Sequence, residues 1–128
     1  MFRKIETSMA STPRIVSFKQ SVAAQLSQPA RERLLSGDPR VATWNHYAEE
    51  SGQFFAGIWS ATPGAWRVEY SEHEFCHLLA GRVRITDREG ERYEFGVGDS
   101  FVIPAGFAGT WEVLEECRKL YAVFERAR

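Results

Sequence analysis

From Gln53 to Phe124 the chain is cut into short β-prone runs by turn signals at close spacing, and this texture constrains the fold more than any other feature. Gln53 to Ser60, Ala65 to Tyr70, Phe75 to Leu79, Arg82 to Thr86, Arg92 to Phe95, Ser100 to Ile103, Trp111 to Leu114 and Arg118 to Phe124 read as strands. Thr-Pro-Gly, Ser-Glu-His, Ala-Gly, Arg-Glu-Gly-Glu, Gly-Val-Gly-Asp, Pro-Ala-Gly and Glu-Glu-Cys separate them. In Arg82-Val83-Arg84-Ile85 charged and β-branched residues alternate, the period of a half-buried strand. Strands this short bury their apolar sides only against a partner sheet, so the pattern predicts an all-β sandwich or barrel of two facing sheets.

The preceding residues have a different texture. Met1 to Pro13 is polar and unpatterned and reads as a loose terminus, and Arg14 to Phe18 reads as a short strand. Pro29 suits a first helical turn, and Ala30 to Leu35 predicts about two turns of helix before Gly37 stops them. Ser36 to Pro39 is a turn, and Val41 to Gly52 is irregular. The expected organisation is an N-terminal extension over residues 1–52 and one β-domain over 53–128.

A chain of 128 residues is long enough for a single hydrophobic core. Lys and Arg total 16 against 17 Asp and Glu, a net charge of -1, which gives no reason to expect nucleic acid or an anionic membrane as a partner. No apolar run reaches the length of a membrane span, and no apolar stretch follows Arg3 and Lys4 as a secretory signal requires. Cys76 and Cys117 lack metal or redox spacing and fit buried thiols in a reducing cytoplasm, the expected location.

The sequence resembles the cupins, jelly rolls of two Greek keys. Their first motif is Gly, His-x-His, a Glu three or four residues later, six residues and a Gly; here Glu74 and Gly81 stand at that separation. Their second motif is Gly, five residues, Pro-x-Gly, two residues and His; Gly98-Asp-Ser-Phe-Val-Ile-Pro104-Ala-Gly106 is similar to its first part. Gly57-Ile-Trp59, Thr62-Pro-Gly64, GDSFVIPAGFAGTWEV and CRKLYAVFE resemble a narrower branch, single cupin domains related to ureidoglycine aminohydrolases and ethanolamine-utilisation cupins. The resemblance implies a cupin jelly-roll barrel with an irregular, short-helical N-terminal extension.

It also implies a metal held by two motif-one histidines, the Glu and the motif-two His, and here the chain departs. Depending on spacing, the motif-one His positions hold Arg67 and Glu69 or Val68 and Tyr70, and the motif-two position is Gly109. Only Glu74 is retained, so neither a transition metal nor another cofactor is expected. Of the three histidines, His77 is an odd number of residues from Glu74 and points to the opposite side of the strand. His73 sits at the bend, and His46 lies outside the motifs with a reach to the barrel mouth.

Glu74 carries two readings: a barrel carboxylate that binds a ligand or moves a proton, or half of a buried ion pair with Arg67 or another arginine across the barrel. Glu69 with Arg67 carries the same ambiguity. Cys76 shares the parity of Glu74 and faces inward, as a thiol to be activated or a small buried one. Trp59, Trp66, Tyr70, Phe101, Phe107, Trp111 and Tyr121 fill the core or line a pocket mouth.

The leading expectation is binding, and turnover if chemistry follows, of a small polar metabolite in the barrel. Arg67, Glu69, Tyr70, Glu74 and Cys76 are its polar candidates, and Trp59, Phe107, Trp111 and Tyr121 its aromatic ones. A metal-dependent enzyme resembling ureidoglycine aminohydrolase and a non-catalytic accessory or sensor protein are the alternatives. Exposed edge strands predict a homodimer, with Arg14 to Phe18 adding to the partner's sheet.

Overall fold

The computed structural model describes residues 12–127, so most of the terminus expected to be loose lies outside the described residues. Nine strands follow in order: β1 (Gln25–Ser27), β2 (Leu34–Gly37), β3 (Val41–Ala48), β4 (Phe54–Ala61), β5 (Gly64–Glu69), β6 (His73–Asp87), β7 (Arg92–Gly96), β8 (Ser100–Ile103) and β9 (Ala108–Phe124). All pairings are antiparallel. The fold is the all-β cupin jelly roll that the motifs imply, curled so that β6 and β9 run through both layers.

The first half of β6 pairs with β8 and with the second half of β9, which continues through β4 and β3 to β1. The second half of β6 pairs with β7 and with the first half of β9, which continues through β5 to β2. We call the first layer sheet I and the second sheet II. Ala61, Trp66, Leu78, Val83, Ile85, Ile103, Trp111, Val113 and Cys117 pack between them as the core.

Five local expectations are corrected. Phe75 to Leu79 and Arg82 to Thr86 are one strand, not two joined by a turn. At Gly81, φ is 84°, and a Cβ there would lie 2.2 Å from the Glu116 carbonyl oxygen. The glycine makes a bulge that bends β6 from one sheet to the other without releasing β9. Trp111 to Leu114 and Arg118 to Phe124 are likewise one strand, with Glu-Glu-Cys at the bend.

The two helical turns expected at Ala30 to Leu35 shrink to a 3-10 turn at Arg31–Arg33, because Leu34 is already extended and pairs with Trp66. Val41 to Gly52, expected to be irregular, is mostly strand β3. Arg14 to Phe18 forms no strand; the Phe18 ring stacks on His46 at 4.5 Å.

Candidate functional site

Period-2 geometry decides what reaches the barrel interior. On β6, Glu74, Cys76 and Leu78 face inward and are buried; on β9, Cys117, Lys119 and Tyr121 do the same. Leu78 lies opposite Lys119 and Cys76 opposite Tyr121, so the carboxylate of one strand and the ammonium of the other meet across the pair. Lys119 Nζ donates to Glu74 Oε2 at 2.9 Å and to Cys76 Sγ at 3.5 Å. It also lies 4.6 Å from the centre of the Trp59 ring and 4.4 Å from that of Trp111. Lys119 is 3% exposed and Glu74 7%, so a charge pair is enclosed almost completely among aromatic rings.

Burial is the largest influence on the Lys119 ammonium and pulls it down, but Glu74, Cys76 and Tyr70 around it together outweigh that and hold it above its ordinary range. Burial pushes the Cys76 thiol up to about 12 even though Lys119 draws it down, so at neutral pH it is a protonated thiol. Burial also raises the Tyr70 phenol, opposed by Lys119 and reinforced by Glu74. Tyr121 is pushed up to about 12, again chiefly by burial. The site therefore holds one ammonium, one carboxylate partner and neutral hydroxyl and thiol donors.

Beside the pair the barrel opens into a cavity of about 500 Å³. Trp59, Trp66 and Trp111 wall it with Val68 and Val123; Tyr70, Glu72, Glu74 and Lys119 give it polar groups from one side. Thr43 and Asn45 of β3 and Gln25 of β1 supply the other side. Tyr121 Oη donates to Asn45 Oδ1 at 2.6 Å, which ties β3 to β9. Gln25 and Asn45 are exposed, so the rim lies along β1 and β3. The volume is in the range of small-molecule sites, and the mix of aromatic walls with a few converging polar groups is what such sites need.

The structure divides the residues singled out from the sequence. Tyr70, Glu74, Trp59, Trp111 and Tyr121 line the cavity, and Cys76 stands behind Lys119. Arg67 and Glu69 lie on the outer side of β5. Arg67 Nη2 donates to the Glu32 carbonyl oxygen, and Glu69 pairs with Arg33 at 3.8 Å. The expected partner of Glu74 is corrected accordingly: it is Lys119, not Arg67. Phe107 packs edge-on against Tyr70 and lines a separate apolar hollow of about 270 Å³ with Phe95 and Phe101.

The histidines stand outside the cavity. His73 Nδ1 accepts from the Ala105 amide at 3.1 Å, His77 Nδ1 is 2.7 Å from Ser100 Oγ, and His46 lies under Phe18. Lys119 was not anticipated, although it stands between Cys117 and Tyr121 at inward parity on a strand that was. Thr43, Asn45 and Gln25 were not anticipated because their segment gave no apolar alternation.

The metal site implied by the cupin motifs does not fit these residues. The inward parity of β5 assigns the motif-one positions to Val68 and Tyr70. Val68 offers no lone pair, and Tyr70 holds its proton more tightly than an ordinary phenol. At Gly109 a Cβ would lie 2.1 Å from the Thr86 carbonyl oxygen, so no side chain fits the motif-two position. Glu74 already faces an ammonium. Among the described residues no three His, Cys, Asp or Glu side chains converge.

A family model described as the EutQ-like cupin domain matches residues 48–121. None of the curated proteins matches the chain. Among solved structures, a protein of unknown function from Pseudomonas syringae pv. tomato superposes with a TM-score of 0.74 at 23% identity, over 84% of this chain and 46% of that one. A putative ethanolamine utilization protein Q from Salmonella typhimurium gives 0.63 at 15% identity, over 84% of this chain and 100% of that one. The Clostridium difficile EutQ protein gives 0.61 at 20% identity, over 67% and 63%. The chain thus spans less than half of the P. syringae protein, and at these identities the likeness is one of fold.

Proposed function

The chain belongs to the EutQ-like cupin family, and on that premise we propose that its barrel binds a small polar metabolite without a transition metal. One observation carries this reading: the Lys119–Glu74 pair stands at the wall of a cavity of about 500 Å³ instead of in solid core. A buried ion pair is generally no more stable than apolar residues of the same volume, so stability does not explain its presence. A binding role does. Glu74 is an acceptor with a second oxygen, and Tyr70, Tyr121, Asn45 and Thr43 supply neutral donors and acceptors. The tryptophan walls lower the local polarity and so strengthen each polar contact that a ligand makes.

The lysine also provides what a metal provides elsewhere in the superfamily, a fixed positive charge beside the barrel carboxylate. It offers no open coordination position, so the chemistry it supports is charge stabilisation and hydrogen bonding. Neutral or zwitterionic ligands of a few heavy atoms fit the pair best, because its two charges cancel.

Native mass spectrometry of the purified chain, followed by a thermal-shift screen against small polar metabolites, tests the reading. The expected result is a bound small molecule, or a melting-temperature rise with at least one compound, that is lost in the double variant Glu74→Leu/Lys119→Met. That variant replaces the pair with apolar volume and leaves no charge stranded. No bound species and no shift across the screen, or an equal shift in the double variant, overturns it.

A further inference from the structure

The inward parity of β6 continues back through the bend that precedes it. Tyr70, Glu72 and Glu74 follow at even spacing, and all three reach the cavity. Three charged side chains line that cavity: Glu72, Glu74 and Lys119. Lys119 balances Glu74 at 2.9 Å, which leaves Glu72 as the uncompensated charge. Glu72 is half-buried, and among the described residues its carboxylate meets Ser71 Oγ at 3.5 Å and no basic side chain.

The cavity does not stop at Glu72. A second hollow of about 440 Å³ shares Trp66, Val68, Tyr70, Glu72 and Glu74 with it and extends outward to Arg33, Arg67 and Glu69. Arg67 is tied down by its bond to the Glu32 carbonyl. Arg33 is held less firmly, because Glu69 lies 3.8 Å away. That is well beyond the length of a charge-assisted hydrogen bond, about 2.8 Å, so the Arg33 guanidinium keeps donors for another carboxylate.

We propose, resting on the reading of the barrel as a metabolite site, that its ligand is a small aminocarboxylic acid whose ammonium is held by Glu72 and whose carboxylate reaches Arg33. A carboxylate without a cation, set against aromatic walls, favours a positively charged guest. An ammonium supplies the missing charge and three donors, and the Trp66 and Tyr70 rings offer it π faces. Trp59 and Trp111 are already turned to Lys119 and do not compete for it. A guest with only a carboxylate meets Glu72 as a like charge, and one with only an amine leaves Arg33 unused. The zwitterion engages both. Glu72 is then the residue that selects the ligand, while Glu74 and Lys119 build the wall behind it.

Isothermal titration calorimetry on the full chain tests this with three matched sets of probes. Glycine, β-alanine and γ-aminobutyrate carry both groups. Acetate, propionate and butyrate lack the amine, and methylamine, ethylamine and propylamine lack the carboxylate. Saturable binding is expected for at least one amino acid, with its matched amine at least tenfold weaker and its matched acid silent. Glu72→Gln keeps the side-chain volume and removes the charge, and is expected to weaken that amino acid at least tenfold with unchanged circular dichroism. Arg33→Gln should weaken the amino acid and leave the matched amine unchanged. No binding by any of the three amino acids overturns the proposal, as does equal binding by the matched acid or by either variant. If neutral or anionic compounds shift the melting temperature in the metabolite screen while no amino acid binds, this proposal falls and the metal-free barrel site stands. If nothing binds in either experiment, both fall.

Discussion

Lys119 Nζ stands 2.9 Å from Glu74 Oε2 across the β6–β9 pair, with the rings of Trp59 and Trp111 less than 5 Å from the ammonium. Each charge makes the other tolerable. Lys119→Met leaves a carboxylate in an apolar enclosure and is expected to lower the unfolding free energy by about 3–5 kcal/mol. Adding Glu74→Leu should recover most of that loss, because the two changes are coupled through one contact. Urea unfolding of the two single variants and the double variant measures the coupling. Additive losses would show that the pair contributes nothing as a pair.

Alkaline pH should destabilise the fold before it affects anything else. Cys76 is raised from 9.0 to about 12, Cys117 from 9.0 to about 11 and Tyr121 from 10.0 to about 12, all three chiefly by burial. Each group holds its proton more tightly folded than unfolded. Their contribution is therefore complete below the ordinary thiol value and is lost as pH rises through the raised values, a window of about 9 to 12. Unfolding free energy is expected to be flat up to about pH 8.5 and to fall steadily above it. In Cys76→Ala/Cys117→Ala the slope of that fall should be shallower. An unchanged slope would show that the thiols are not responsible.

Restoring the motif histidine should not restore a metal. Gly109 is squeezed between Val68 of β5 and Asp87 of β6, and any Cβ there meets the Thr86 carbonyl. Gly109→His is expected to lower the melting temperature by several degrees and to bind no zinc or manganese, as measured by elemental analysis after dialysis. A variant that keeps its melting temperature and holds one metal per chain would contradict the geometry.

The layered β-fold was legible in the sequence because its turn residues are chemically specific and its core strands alternate. Two features were not. Gly81 carries the signal of a turn, but a glycine of positive φ serves a bulge equally well, and only the continuous pairing with β9 distinguishes them. Strand β3 was missed because its inward residues, Thr43 and Asn45, face the cavity and are polar, which erases the alternation that marks a strand.

For the site, Glu74, Tyr70 and Tyr121 were legible from motif and parity. Arg67 and Glu69 follow from one of the two motif spacings counted back from Glu74. Strand parity turns them away from the barrel cavity, with Val68 between them as the inward residue, and they line a second hollow on the outer side together with Tyr70 and Glu74. Lys119 was legible by the same parity and was passed over because a lysine in a strand ordinarily faces water.

The continuity of β6 and β9 through both layers has a mechanical result. Two sheets joined only by loops can breathe apart like the covers of a book; here the same two strands form the spine of each cover, and the hinge is stapled shut. Entry to the cavity must then come from the periphery, where the three-residue strand β1 pairs, among the described residues, with β3 alone. Amide exchange should report this directly: slow, concerted protection along β6 and β9, and fast local opening at Gln25 to Ser27, at the rate at which a guest molecule enters or leaves.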